Sequence, residues 1–219
     1  MVLPYSKLKT FYDHFGKKQD KQGFYEDPAL EQLVSFSEFK EAHSVFEFGC
    51  GTGRFAQRLL ECELPADATY YGIDLSTVMV SLARKKLAHY SGRARIEQSE
   101  GEIQFPLEDH SVERVVSTYV LDLLSNQDIQ KFLAEAHRVL KKDGKLCLAS
   151  LTHGRSLFSK LVSTSWSVVS FIYPSLVGGC RPLLLTEHFD HSLWKILQHT
   201  VVSPYGIPSE IIVAVPKYS

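Results

Sequence analysis

Short apolar runs alternate with helical patterns through the middle of this chain. Runs of this kind predict strands at 45–49, 69–74, 94–98, 112–121 and 145–151. Between them, apolar residues recur at helical spacing and predict three helices. The first covers 54–62, and the second begins after the N-cap Ser76 and runs to about Tyr90. The third covers 129–140 and is followed by the stop signal KKDG at 141–144. Strands that alternate with helices of this length indicate an α/β fold with a parallel sheet.

The two ends of the chain have different patterns. Residues 1–42 predict an N-terminal helical cap, in which Asp27 is the N-cap of the second helix and Pro28 its first residue. The apolar faces of its two helices would hold Leu8, Phe11, Tyr12 and Phe15 in the first, and Leu30, Leu33, Val34 and Phe36 in the second. At the other end, 199–217 has two β-branched runs separated by PYGIPS, which predicts an antiparallel hairpin at the sheet edge. The α/β domain would therefore occupy 43–219.

An extra segment at about 153–185 separates the fifth predicted strand from the hairpin. Its stretch 161–180 holds no charged residue, but it contains five serines, so a transmembrane helix is not favoured. We expect a helical lid over a pocket, with a membrane-surface contact through 157–178 or a helix packed on the sheet as the alternatives. Trp166, Phe171 and Tyr173 would make such a lid aromatic, which favours a lipophilic or aromatic ligand.

Composition narrows the class of protein. The 219 residues carry 24 basic and 25 acidic side chains, a net charge of −1, whereas dedicated nucleic-acid binders usually carry a basic surplus. The four cysteines have no CxxC spacing, so we expect no metal site. No apolar signal sequence is visible at the start, and we expect a cytoplasmic protein.

The most informative string is the glycine loop, VFEFGCGTGRF, which places Gly49, Gly51 and Gly53 between a predicted strand and a predicted helix. Glycines there let the backbone turn sharply and approach a ligand closely. The dinucleotide pattern G-x-G-x-x-G fails at Arg54, and Glu47 would repel a pyrophosphate. An acid at that position could instead pair with an ammonium group or order the loop.

Two acids follow the next strands. Asp74 ends the second predicted strand, where a carboxylate can accept both hydroxyls of a ribose. Glu100, followed by Gly101, comes after the third strand, where it could accept from an exocyclic amine such as that of adenine. A solvated loop acid is the alternative for Glu100.

At these residues the sequence resembles the class I S-adenosylmethionine-dependent methyltransferases. The resemblance lies in EFGCGTG, GIDLS, SEGEIQFPLEDHSVERVVS and HRVLKKDGKLCLAS, and its closest type is the small-molecule enzymes that resemble the quinone-biosynthesis C-methyltransferases. It implies a Rossmann-like three-layer α/β sandwich whose seven-stranded sheet has its last strand antiparallel. The cofactor it implies is S-adenosyl-L-methionine.

The same resemblance implies roles for individual residues. Glu47 and the glycine loop with Cys50 would contact the methionine part of the cofactor, and Asp74 would bind the ribose hydroxyls. Further cofactor contacts would be Leu75, Glu100 and Gly101 at the adenine, with Ser117 and Tyr119 at the sulfonium. The family more often has Asp at the position of Glu100.

The acceptor is less defined. We expect a small, lipophilic or aromatic molecule and no nucleic acid, since STYVLD stands where amine-directed nucleic-acid enzymes carry Asn/Asp-Pro-Pro-Tyr/Phe. Candidate bases are His153, His188, His191 and Asp122, and none is singled out as catalytic. Two alternatives stay open: a cofactor-binding pseudoenzyme or membrane- or partner-binding protein without transfer activity, and a nicotinamide oxidoreductase.

Overall fold

The computed structural model describes residues 2–154, 159, 163, 164, 166, 172, 173 and 178–218. Within these residues one seven-stranded sheet runs in the order β3-β2-β1-β4-β5-β7-β6. Its strands are β1 (Ser44–Phe48), β2 (Thr69–Asp74), β3 (Ala94–Gln98), β4 (Val112–Thr118), β5 (Leu140–Leu151), β6 (Trp194–Val202) and β7 (Ser209–Pro216).

Strand direction confirms the predicted fold. Strands β1 to β5 pair in parallel, whereas β7 is antiparallel to both β5 and β6. The predicted hairpin is present, and its first strand begins at Trp194, five residues before the predicted start. A 3₁₀ turn at Pro204–Gly206 joins the two strands. This is a Rossmann-like sheet with an antiparallel end.

Helices cover both faces of the sheet. They are α1 (Tyr5–Phe15), α2 (Gly23–Ser37), α3 (Arg54–Arg58), α4 (Thr77–Lys86) and α5 (Asn126–Val139). Apolar residues of α2, α3 and α4 pack on one face, and those of α5 on the other, because successive strand residues point to opposite faces. Ser76 caps α4 as predicted, since its hydroxyl accepts from the Met79 N–H at 3.1 Å.

Two predicted helix boundaries were wrong. A 3₁₀ segment at Gly16–Gln22 runs directly into α2, so Asp27 and Pro28 lie inside that helix and Asp27 does not cap it. Pro28 removes only one helical hydrogen bond there. Helix α5 begins three residues before the predicted Ile129, because Ser125 caps a polar first turn through the Asp128 N–H.

The KKDG segment and the end of β4 also differ from prediction. Leu140 already pairs with Val112, so 141–144 forms an irregularity inside β5 rather than a loop after a helix. Strand β4 ends at Thr118 instead of 121, because Tyr119 adopts φ 57° and a 3₁₀ turn follows at Leu121–Leu123. The apolar run continues there because the turn is buried.

Most of the expected lid at 153–185, and with it Phe171 and most of the surface contact at 157–178, lies outside the described residues. Of its other aromatic residues, Trp166 donates its indole N–H to the Cys180 carbonyl at 3.1 Å, and Tyr173 is exposed. Across the described part of the chain, no helix is both long and apolar enough to cross a membrane.

Candidate functional site

A cleft of about 700 Å³ opens where β1, β2 and β4 end, and it is called the cofactor cavity below. It is lined by backbone and side chains from the strand ends and from the N-terminal segment: Tyr5, Leu8, Tyr12, Gln19, Phe48, Gly49, Gly51, Ile73, Asp74, Leu75, Ser99, Gly101, Thr118, Tyr119, Val120, Leu123 and Leu124. Ligands of open parallel sheets bind at this edge.

The glycine loop is fixed to the end of β2. The N–H groups of Gly49 and Cys50 both donate to the Ile73 carbonyl, at 2.8 and 3.0 Å. Gly49 has φ 79°, and a Cβ at that position would lie 2.3 Å from Cγ2 of Val120. Both the backbone conformation and the space therefore require glycine.

Asp74 links this loop to α4. Its Oδ2 accepts from the Gly51 N–H and its Oδ1 from the Ser76 N–H, both at 2.8 Å. Burial raises the pKa of Asp74 to about 6. An ionised carboxylate accepts about four hydrogen bonds, so it can still receive two from a ligand in the cavity.

Glu47 lies on the other side of the glycine loop. It is buried, it accepts a hydrogen bond from the Tyr70 hydroxyl, and burial raises its pKa to about 7. Together with Asp20, Glu26 and Arg54 it lines a second cavity of about 400 Å³. Acids beside a guanidinium complement the ammonium and carboxylate groups of an amino acid.

Arg54 is held in place by α2. It donates to Glu26 at 2.8 Å and pairs with Asp27. Burial raises the pKa of Glu26 to about 7. Cys50 also lines this second cavity, and burial raises the pKa of its thiol, so it is a small apolar side chain there.

The remaining expected site residues divide into two groups. Leu75, Gly101 and Tyr119 line the cofactor cavity. Three others do not: Glu100 is exposed, Gly53 donates its N–H to the Cys50 carbonyl, and Ser117 donates its hydroxyl to the Phe48 carbonyl at 3.0 Å. Thr118, the neighbour of Ser117, lines the cavity in its place.

The N-terminal segment supplies cavity residues that the sequence motifs did not indicate. Tyr5, Leu8, Tyr12 and Gln19 line the cavity, and the Gln19 amide lies against Gly51. Asp13 accepts from the Ser76 hydroxyl at 2.6 Å and fastens α1 over the site. The aromatic spacing predicts the helix α1, but no local signal says that it covers the glycine loop.

The candidate bases do not converge on the cofactor cavity. His153 and His191 are exposed, and burial lowers the pKa of His188. Asp122 is fully buried behind the cavity wall, and burial raises its pKa to about 6. None of the four lines the cavity.

Comparison with known proteins identifies the domain. Residues 45–144 match the model of a methyltransferase domain. A methyltransferase of Anoxybacillus flavithermus is 36% identical over 110 residues, which are 50% of this chain and 48% of that protein. Another, from Bacillus cereus, is 30% identical over 160 residues, covering 70% of this chain and 69% of that protein. The chain thus spans only about half of the first relative.

Solved structures show the same fold at low identity. The Pyrococcus horikoshii protein PH0226 has a TM-score of 0.67 at 15% identity, with 92% of each chain covered. The magnesium protoporphyrin IX methyltransferase of Synechocystis, solved with bound S-adenosylhomocysteine, has a TM-score of 0.63 at 17% identity, with 87% of this chain and 81% of that chain covered. With a relative that is 30% identical and covered to 69%, and with the matching domain, the chain belongs to the methyltransferase family.

Proposed function

We propose that this protein transfers the methyl group of S-adenosylmethionine to a small, lipophilic or aromatic acceptor. The observation that carries the proposal is the position of Asp74, which faces the cofactor cavity while it holds the Gly51 N–H. The cofactor has three parts: adenine, ribose and methionine. A carboxylate placed for the ribose, and a glycine loop with a cavity on each side, match these three parts.

The residues present fit each part of the cofactor. Asp74 would hold the ribose hydroxyls, and Leu75 with Gly101 would border the adenine. The second cavity, with Glu47 and Arg54, would receive the amino-acid end. When bound, the cofactor supplies a methyl group on a positive sulfonium.

The chain's own contribution is positioning and exclusion of water. Holding donor and acceptor in line at near-attack distance can lower a barrier by roughly 7–11 kcal/mol at best. The segment with Tyr5, Leu8 and Tyr12 closes the cavity on one side and excludes water from it. Exclusion of water favours the reaction because the positive charge of the sulfonium is neutralised as the methyl group leaves. A general base is needed only where the acceptor must lose a proton before or during attack, and we assign that role to no residue.

Aromatic residues favour an aromatic acceptor. Tyr12 and Tyr119 line the cavity, and the Tyr25 ring stands edge-on to that of Tyr119 at 5.8 Å between centroids. Phenols, and quinones in their reduced hydroquinone form, would pack on such rings and would supply the electron pair that attacks the methyl group.

We place this reaction in the cytoplasm.

Transfer is tested with S-adenosylmethionine labelled in its methyl group and a panel of lipophilic phenols and hydroquinones. We expect labelled product from at least one acceptor in the panel. Cofactor binding without transfer to any acceptor would favour the pseudoenzyme alternative.

Cofactor affinity should depend on pH through Asp74. Its pKa of about 6 means that the free protein protonates this carboxylate as the pH falls through 6, whereas binding two hydroxyls favours the ionised form. We therefore expect the Kd for S-adenosylhomocysteine to rise towards about tenfold per pH unit below that value. Calorimetry between about pH 8 and pH 5 measures it. Asp74→Asn should flatten this step, and an equally steep profile in that variant would assign the dependence to another group.

Gln19 should contribute to cofactor affinity. Its Oε1 is buried without a hydrogen-bond partner and the side chain faces the cavity, so a cofactor donor would satisfy it. Because one neutral hydrogen bond contributes about 0.5–1.5 kcal/mol, Gln19→Ala should weaken binding by about 2–12-fold. The exposed neighbour Lys18 gives the control Lys18→Ala. Equal Kd values for both variants would remove Gln19 from the site.

A further inference from the structure

Buried polar atoms without partners fall into two places. Five such side-chain atoms occur among the described residues: Tyr5 Oη, Gln19 Oε1, Asp122 Oδ2, Thr152 Oγ1 and Arg181 Nε. The first two belong to residues that line the cofactor cavity. The other three lie outside that cavity, where β4 and β5 end and where the chain at 180–183 runs past them.

Hydrogen bonds join two of these residues, Asp122 and Arg181, and connect Asp122 to Ser150. The Arg181 N–H donates to the Asp122 carbonyl at 3.2 Å, and the Ser150 hydroxyl donates to Asp122 Oδ1 at 3.3 Å. Thr152 follows Ser150 by two residues, directly after the end of β5 at Leu151. Asp122 and Thr152 have no exposed surface.

This cluster lies directly behind the wall of the cofactor cavity. The Tyr12 hydroxyl, on a residue that lines the cavity, is 3.8 Å from Sγ of Cys180, the residue before Arg181. On the side of Thr152 there is a small cavity of about 200 Å³, lined also by Trp166, Pro182 and Ile207. Of the three residues with unsatisfied atoms, Thr152 lines this small cavity, and Asp122 and Arg181 do not.

Such a cluster is costly unless a ligand completes it. A buried donor or acceptor without a partner costs roughly 1–3 kcal/mol, and a carboxylate costs more. Here Asp122 offers an acceptor, Arg181 a donor, and the Thr152 hydroxyl either. A ligand edge that carries both a donor and an acceptor would satisfy all three residues at once.

We propose that Asp122, Thr152 and Arg181 form the subsite for the polar end of the methyl acceptor. Asp122 accepts a hydrogen bond from a hydroxyl or amine, while Arg181 and Thr152 donate to a neighbouring carbonyl or carboxylate. The acceptor class is a small aromatic molecule with a hydroxyl or amine beside a carbonyl or carboxylate. This inference rests on the proposed methyl transfer and specifies its acceptor.

Thermal unfolding of the free protein tests whether Asp122 is kept for a ligand. A buried carboxylate with one free oxygen weakens the free protein, and its replacement by an apolar side chain is often neutral or stabilising. We expect Asp122→Leu to leave the Tm unchanged or raise it by up to about 4 °C.

The matched control is Glu210, an equally buried carboxylate that is fully paired. It accepts from His199 at 2.7 Å and from the Leu185 N–H at 2.8 Å. Glu210→Leu should therefore lower the Tm clearly. If Asp122→Leu lowers the Tm as much as Glu210→Leu does, Asp122 is a structural residue and the proposal fails.

Ligand binding tests the chemistry of the subsite. With the protein saturated in S-adenosylhomocysteine, we expect salicylate to bind at least about tenfold more tightly than 2-methoxybenzoate or phenol. Asp122→Leu should abolish the preference over 2-methoxybenzoate, and Arg181→Met the preference over phenol. Equal binding of the three probes, no binding of salicylate, or preferences that survive both substitutions would overturn the subsite.

Cofactor binding is measured apart from acceptor binding. The Kd for S-adenosylhomocysteine is measured first in every variant, and we expect it to stay within about twofold of wild type. If S-adenosylhomocysteine does not bind the wild-type protein, the proposed function fails. If it binds and salicylate shows no preference, only the acceptor subsite fails.

Discussion

The Asp74→Ala protein is expected to bind S-adenosylmethionine at least about 100-fold more weakly than the wild type. Two hydrogen bonds to an ionised carboxylate contribute about 1.5–3 kcal/mol each, and alanine removes both. The substitution also leaves the Gly51 and Ser76 N–H groups without the oxygens that hold them at 2.8 Å. The loop then loses its fixed position beside the cavity, which adds to the loss. Calorimetric titration measures the effect.

Asp67→Ala is the matched control for this substitution. Asp67 is an aspartate with 76% of its side chain exposed, and its ion pair is with His43 on the surface. Its removal should leave cofactor affinity and stability unchanged, since exposed pairs contribute about 0–1 kcal/mol. Undiminished binding by Asp74→Ala would show that the ribose lies elsewhere.

The second large effect is expected at Gly49. In Gly49→Ala, the new Cβ would lie 2.3 Å from Cγ2 of Val120, and the backbone at φ 79° disfavours any side chain. Left-handed strain of about 1–2 kcal/mol and overpacking of about 1–3 kcal/mol both act on this loop. We expect the Tm to fall by on the order of 10 °C, with loss of cofactor binding. Thermal unfolding and calorimetry measure the two effects.

Two further variants separate the causes at Gly49. Gly92→Ala is the control, because a Cβ at Gly92 meets nothing within 4 Å and its φ is not positive. That variant should be close to neutral. Adding Val120→Ala to Gly49→Ala should restore part of the stability by removing the clash, and the backbone strain should remain. A stable, cofactor-binding Gly49→Ala protein would contradict this description of the loop.

Local patterns predicted the fold because each strand and helix carries its own signal. The apolar runs gave β1 to β5, and PYGIPS between two β-branched runs gave the hairpin of β6 and β7. Two of the boundaries that were wrong, at 141–144 and at the end of β4, share a cause, which is tertiary context. Residues 141–144 have helix-stop composition but lie within β5, because Leu140 pairs with Val112 across the sheet. The turn after Thr118 is buried, so its residues are apolar like those of the strand, and the sequence pattern does not separate the two.

The site was predicted only as far as its motifs extend. Gly49, Gly51 and Asp74 stand at fixed distances along the chain, so the sequence shows them together. Gln19 and Tyr12 reach the cavity only because the N-terminal segment folds back over the loop. No spacing encodes such a long-range contact. The family resemblance also suggested Ser117, whose hydroxyl is bound to the Phe48 carbonyl within the sheet.

The central claim is that the glycine loop and Asp74 bind S-adenosylmethionine. Its most direct test is the calorimetric titration of S-adenosylmethionine, and separately of NADH, into the purified wild-type protein. We expect saturable binding of S-adenosylmethionine with a Kd on the order of micromolar, and no binding of NADH. Binding of NADH, or no binding of S-adenosylmethionine, would contradict it.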